Sequence, residues 1–119
     1  MKHTGACHCG KVSFRFKSEV KEIIRCDCSL CMKRNALMVT VPRADFEIVE
    51  GQDALILYTW NSEVARHYFC GFCGIYLYHR RRTNPEFLSI NACCVEGLEL
   101  EAISVRLVDG KSRSVVPAK

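Results

Sequence analysis

Nine cysteines in 119 residues, seven of them gathered into three short clusters, constrain this chain more than any other feature. The clusters are Cys7-His8-Cys9-Gly10, Cys26-Asp27-Cys28-Ser29-Leu30-Cys31 and Cys70-Gly71-Phe72-Cys73-Gly74, and an adjacent pair, Cys93-Cys94, stands apart. An odd number of cysteines argues against a closed disulfide framework. The stretch from Met1 to Gly10 is polar and lacks the apolar h-region of a signal peptide. The expected compartment is therefore reducing and cytoplasmic, where thiols remain thiols or bind metal.

Spacing decides which sulfurs can share an ion. Zinc takes four tetrahedral ligands at about 2.3 Å, which sets bonded sulfurs about 3.7–3.8 Å apart. Residues i and i+2 of a strand point to one face, about 6.6 Å apart at the backbone, and two cysteine side chains can lean inward across that gap. A Cys-x-x-Cys pair does the same on a tight turn, which the glycines at 71 and 74 permit, and Gly10 follows Cys9 in like fashion. Cys7, Cys9, Cys70 and Cys73 together supply four thiolates, a closed site that ties the start of the chain to its middle across a loop of roughly 60 residues. Cys26, Cys28 and Cys31 supply only three, and three protein ligands leave a fourth position open, as in catalytic zinc sites. His3, His8, His67 or His79 could complete that set instead. Soft thiolates also take copper(I) or iron. Zinc is the expected metal, two ions per chain, because nothing here matches the ferredoxin spacings.

Between the clusters the pattern is that of strands. Val12, Phe14 and Phe16 alternate with polar residues, as do Leu37, Val39 and Val41 with Met38 and Thr40. Phe46 to Val49, Val64 to Phe69, Ile75 to His79, Phe87 to Ala92 and Ile103 to Val108 read the same way, and Leu55 to Trp60 reads as a mostly buried strand. Asn61, Gly71, Gly74, Asn84-Pro85, Gly97 and Gly110 punctuate them. One short helical turn is expected after Cys28, from Ser29 to Arg34. Cys93 and Cys94 lie in a strand-like run, face opposite ways and are expected as small buried hydrophobes rather than ligands. Many short strands, frequent turns and no linker predict one all-β domain over residues 1–119, a sandwich or distorted barrel. No apolar run approaches the ~20 residues of a membrane span.

The three clusters resemble those of the glutathione-dependent formaldehyde-activating enzymes and the related centromere protein V domain. The matching segments are Gly5-Ala6-Cys7-His8-Cys9-Gly10-Lys11-Val12-Ser13-Phe14, Cys26-Asp27-Cys28-Ser29-Leu30-Cys31 and Phe69-Cys70-Gly71-Phe72-Cys73-Gly74, in the family's order and at similar separations. The resemblance runs from about residue 3 to about residue 95. It implies a mainly β, Mss4-like fold of packed antiparallel sheets. It implies a structural zinc on Cys7, Cys9, Cys70 and Cys73, and a second zinc on Cys26, Cys28 and Cys31 where the glutathione sulfur binds. The implied chemistry is that of a carbon–sulfur lyase, joining formaldehyde to glutathione as S-(hydroxymethyl)glutathione and the reverse. One departure is Met32-Lys33-Arg34-Asn35-Ala36 after Cys31, where the family commonly has an Arg followed by a Gly-containing stretch.

Such an enzyme needs a small thiol such as glutathione as partner. Coordination deprotonates a thiol, and a thiolate is the nucleophile for an aldehyde carbon. Glutathione's carboxylates would suit Arg80-Arg81-Arg82 or Lys33-Arg34, although a solvated basic edge that blunts a strand is the preferred reading of both. Trp60 and His79 are expected as packing residues. Asp27 reads either as an acceptor behind the metal ligands or as an exposed turn residue. The formal charge of +4 falls to near +1 once seven thiolates and two Zn2+ are counted, which weakens nucleic-acid binding. A non-catalytic zinc module for a protein or nucleic-acid partner is the alternative, and a redox or metal-buffer protein the third reading.

Overall fold

The structure is a computed structural model that describes residues 2–59, 65–81 and 84–109. Trp60, Asn61, Val64, Arg82 and Gly110 lie outside the described residues. The strands are β1 (His3–Ala6), β2 (Ser13–Phe16), β3 (Ile23–Cys26), β4 (Met38–Pro42), β5 (Phe46–Glu50), β6 (Leu55–Tyr58), β7 (Arg66–Cys70), β8 (Tyr76–Arg80), β9 (Phe87–Asn91) and β10 (Val105–Val108), with one α-helix, α1 (Ser29–Arg34). They form a three-stranded sheet, β1-β2-β5, and a seven-stranded sheet, β10-β3-β4-β9-β8-β7-β6. The architecture is the expected mainly β one. Its pairings are antiparallel except that β10 runs parallel to β3.

The alternation read from the sequence decides which face each strand buries. Phe14 and Phe16 of β2 are fully buried while Arg15 between them is exposed and pairs with Glu47 of β5. Val39 and Val41 of β4 and Leu88 and Ile90 of β9 meet them from the larger sheet, so both sheets share one core. Aromatic rings bridge the layers, Phe14 against Phe46 and Phe46 against Tyr78 at 4.8 Å.

Two expectations are overturned. The Leu55 stretch is not a buried strand: Ile56, Leu57 and Tyr58 are exposed, because among the described residues β6 is the edge strand of its sheet and pairs with β7 alone. Nor do Cys93 and Cys94 continue a strand. The Asn91 side chain accepts from the Cys93 N–H and turns the chain into a 3-10 turn over Ala92–Cys94. Cys93 is left exposed and Cys94 half-buried, its Sγ directed at the Tyr76 carbonyl at 3.8 Å.

Candidate metal centres and the polar cluster beside them

Cys7 and Cys9 follow β1, and Cys70 ends β7 with Cys73 on the turn beyond it. The fold brings all four sulfurs within 4.8 Å of one another. Cys7 Sγ to Cys9 Sγ is 3.6 Å and Cys9 Sγ to Cys70 Sγ is 3.7 Å, matching the tetrahedral edge of about 3.7–3.8 Å around zinc. Backbone N–H groups aim at the sulfurs, Val12 at Cys7 and Phe72 at Cys70, each at 3.4 Å, a pattern that stabilises thiolates. Gly10 and Gly74 close the two turns with φ of 81° and 76°, a region that disfavours side chains. Gly71, also expected to relax the turn, has no positive φ; there a Cβ would sit 2.7 Å from the Ile56 side chain. Lys11 lies over the Phe72 ring at 4.6 Å, a further tie between the two turns.

The other group is Cys26 at the end of β3, Cys28 at the N-cap of α1 and Cys31 within α1, again with sulfurs inside 4.8 Å. The Cys28 Sγ accepts from the Cys31 N–H at 3.4 Å, the bond a Ser or Asp oxygen usually makes at an N-cap. Cys26 Sγ accepts from the Cys28 N–H in the same way. Crowding divides the thiols: contact with Cys26 and then Cys31 pulls Cys28 down to about 2, while Cys26, Cys28 and burial together push Cys31 far up. Three sulfurs held this closely favour a cation between them. Among the described residues no histidine nitrogen joins either group.

α1 is short, and its C-terminus falls on Asn35, left-handed at φ 51°, whose N–H reaches the Cys31 and Met32 carbonyls. Asn is, after Gly, the residue that best tolerates this conformation. Arg25 of β3 donates to the Asn35 side chain at 2.7 Å, fixing the helix end to the strand that carries Cys26.

A cavity of about 380 Å3 opens beside Cys26, lined by Arg25, Cys26, Asp27, Met32, Leu107, Val108 and Asp109. Met32 and Leu107, the latter 76% exposed, form its apolar rim. Outside that lining, at the other end of α1, lies a polar cluster. Arg34, the last residue of α1, lays its guanidinium 3.9 Å over the Tyr76 ring and points Nη2 at His67 Nδ1, 3.1 Å away. The Tyr76 hydroxyl meets His79 Nδ1 at 2.6 Å, and the two imidazoles lie 4.7 Å apart. Tyr76 packs in turn against the small apolar cluster that includes Cys31, with Cys26 and Cys28 at its border. Burial, then the Arg34 charge, holds His67 down to about 4. Burial holds His79 well below its ordinary range, and raises Tyr76 above its own.

The basic residues proposed for carboxylates separate. Lys33 is exposed. Arg80 faces a different groove of about 290 Å3, with Arg43, Phe46, Tyr68 and Tyr78. Arg81 is close enough to His79 to depress it. Sequence reasoning missed Tyr76 and the link between Arg34 and His67. Both depend on strand register, which carries no local signature. His79, taken as a packing residue, is buried but also hydrogen-bonded into this cluster.

Among the described residues no helix is long and apolar enough to cross a membrane. The family model for glutathione-dependent formaldehyde-activating enzymes matches residues 2–105. Among solved structures, the chain is similar to a crystal structure of a Rhodobacter sphaeroides protein at 35% identity and a TM-score of 0.77, over 87% of this chain and 99% of that one. With both cysteine groups assembled and the match spanning most of its length, this chain belongs to the glutathione-dependent formaldehyde-activating enzyme family.

Proposed function

We propose that the protein is a zinc-dependent carbon–sulfur lyase that acts on the adduct of a small thiol, of the kind glutathione forms with formaldehyde. The observation that carries this reading is the asymmetry of the two cysteine groups: four sulfurs in one, three in the other, with a cavity beside Cys26 of the three. Cys7, Cys9, Cys70 and Cys73 would hold a structural zinc, and Cys26, Cys28 and Cys31 a second. When bound there, the second zinc would supply a coordination position at which a thiol is held as thiolate at neutral pH.

The chain's own residues do the rest. The N–H groups of Cys28 and Cys31 hold two sulfurs in place before any ligand arrives. Met32, Leu107 and Val108 give the thiol's carbon chain an apolar wall. Arg25 offers a cation for a carboxylate at the rim. The family's name supports glutathione and formaldehyde as the substrate pair.

Elemental analysis of protein purified under reducing conditions tests this. Two zincs per chain are expected, with the second retained better when glutathione is present and lost in Cys28→Ser. One zinc regardless of glutathione, or Cys28→Ser with two zincs and intact thiol binding, would be incompatible with the proposal. Formation of S-(hydroxymethyl)glutathione, followed by NMR, then tests the substrate pair. A non-catalytic zinc module is the second reading, favoured by the exposed apolar edge of Ile56, Leu57 and Tyr58.

A further inference from the structure

One face of the seven-stranded sheet carries a row of polar residues in register. Thr40 of β4 lies opposite Ser89 of β9, Ser89 opposite His79 of β8, His79 opposite His67 of β7, and His67 opposite Tyr58 of β6. His67 and His79 are only 7% and 9% exposed. Arg34 reaches this row from α1, one helical turn beyond Cys31.

The tautomer follows from the donor inventory. A guanidinium only donates, so His67 Nδ1 must accept from Arg34 Nη2. A neutral imidazole has one hydrogen, which then sits on Nε2. That Nε2 is buried without a hydrogen-bond partner, and so is Arg34 Nη1. Two buried donors are therefore unmatched, and they belong to two side chains already bonded to each other. The partners on which Arg34 rests, the Tyr76 ring and the His67 imidazole, are both uncharged. Buried donors left unmade lower stability, and native structures keep few of them unless a ligand uses them.

We propose that Arg34 and His67 together form a receptor for one negatively charged oxygen of the ligand held beside Cys26, Cys28 and Cys31. The proposal rests on the thiol-adduct reading and adds a second point of recognition to it. Two oxygens have the required chemistry. One is a carboxylate of the thiol. The other is the adduct's own oxygen: when a thiol adds to an aldehyde, the S–C bond forms, the carbonyl π pair moves onto oxygen, and the thiol's proton ends there. A preformed cation and an N–H donor stabilise either charge without reorganisation. This arrangement makes Arg34, rather than the exposed Lys33 beside it, the basic residue of α1 that ligands read.

Calorimetric titration of the zinc-loaded full chain with propanethiol, 2-mercaptoethanol and 3-mercaptopropionate separates these cases. The wild type should bind an oxygen-bearing thiol about tenfold or more tighter than propanethiol, the range of a hydrogen bond to a charged group. Preference for 3-mercaptopropionate identifies the carboxylate, and preference for 2-mercaptoethanol a neutral hydroxyl of the kind the protonated adduct carries. Arg34→Met and His67→Phe should each erase the preference while leaving propanethiol affinity in place, and Lys33→Met should not change it. Each substitution also breaks the Arg34–His67 bond and leaves its partner short of one, so both variants should melt somewhat below the wild type; the receptor is read from selective loss of the oxygen preference, and loss of propanethiol binding along with it would mark the contact as structural and count against a receptor. Should all three thiols bind alike, the receptor is overturned and the thiol site stands. Should none bind, the thiol-adduct reading falls and takes the receptor with it.

Discussion

At Asn35 the backbone turns left-handed, and the helix that carries Cys28 and Cys31 ends there. A β-branched residue cannot hold that conformation without strain of about 1–2 kcal/mol, whereas glycine holds it freely. Asn35→Val should therefore lower the unfolding free energy from urea titration by about that amount and loosen metal at the three-cysteine group. Asn35→Gly should come close to the wild type, losing only the bond from Arg25. His67 allows a pH test. Its folded pKa of about 4 lies below the ordinary 6.5, so the unfolded chain takes up a proton that the folded chain refuses. The stability this provides is present in full above pH 6.5 and is lost as pH falls toward 4. His67→Phe should accordingly show a shallower fall in stability across that window; identical slopes for the two proteins would contradict a buried, neutral His67. At this scale the sulfurs were legible in the sequence because chelation by Cys-x-Cys and Cys-x-x-Cys is a local geometric demand. The pairing of Arg34 with His67 was not, since 33 residues separate them.

Among the elements, what a strand tolerates depends on its place in the sheet. Leu77 in β8 is fully buried at the centre of the core, and Leu77→Ala should cost about 2–5 kcal/mol in chemical denaturation. Leu57 in the edge strand β6 is 42% exposed, so Leu57→Lys should stay within about 0.5 kcal/mol. The same lysine should reduce self-association at high concentration, measured by light scattering, because a charge on an open edge blocks strand addition. Apolar composition made β6 read as buried. Sequence reports what a strand is made of, and only topology reports whether a neighbour lies on its far side. The short helix was placed correctly by the cluster that it carries. Two strands were not read at all. In β1 the residues His3 to Ala6 have little strand character, and Gly5 is there because the Phe14 ring leaves no room for a Cβ, which would lie 2.3 Å from it. In β3 a four-residue strand runs straight into Cys26 and is too short to show alternation.

For the molecule as a whole, the two cysteine groups have different structural weight. Cys7 and Cys70 are buried in the shared core, and their group joins β1 to the end of β7. A structural zinc in small domains contributes about 10–16 kcal/mol, as much as the entire stability of a typical domain. Cys70→Ser, or strong chelation, should therefore abolish the cooperative thermal transition. Cys26→Ser should keep that transition and lose one metal ion, because β3 and α1 are held by other contacts. A Cys26→Ser protein that unfolds as completely as Cys70→Ser would refute this division.

The two groups also differ in when they can exist. Cys26, Cys28 and Cys31 lie within one strand end and one helical turn, so all three leave the ribosome almost together. Cys7 and Cys9 emerge earlier still but must wait for Cys70 and Cys73, roughly 40 residues after Cys31, or about 2–8 s of synthesis. During that interval the nascent chain displays a complete three-thiol chelator and two unmatched thiols, with no finished core around either. The order of synthesis thus completes the three-cysteine group well before the four-cysteine group can close.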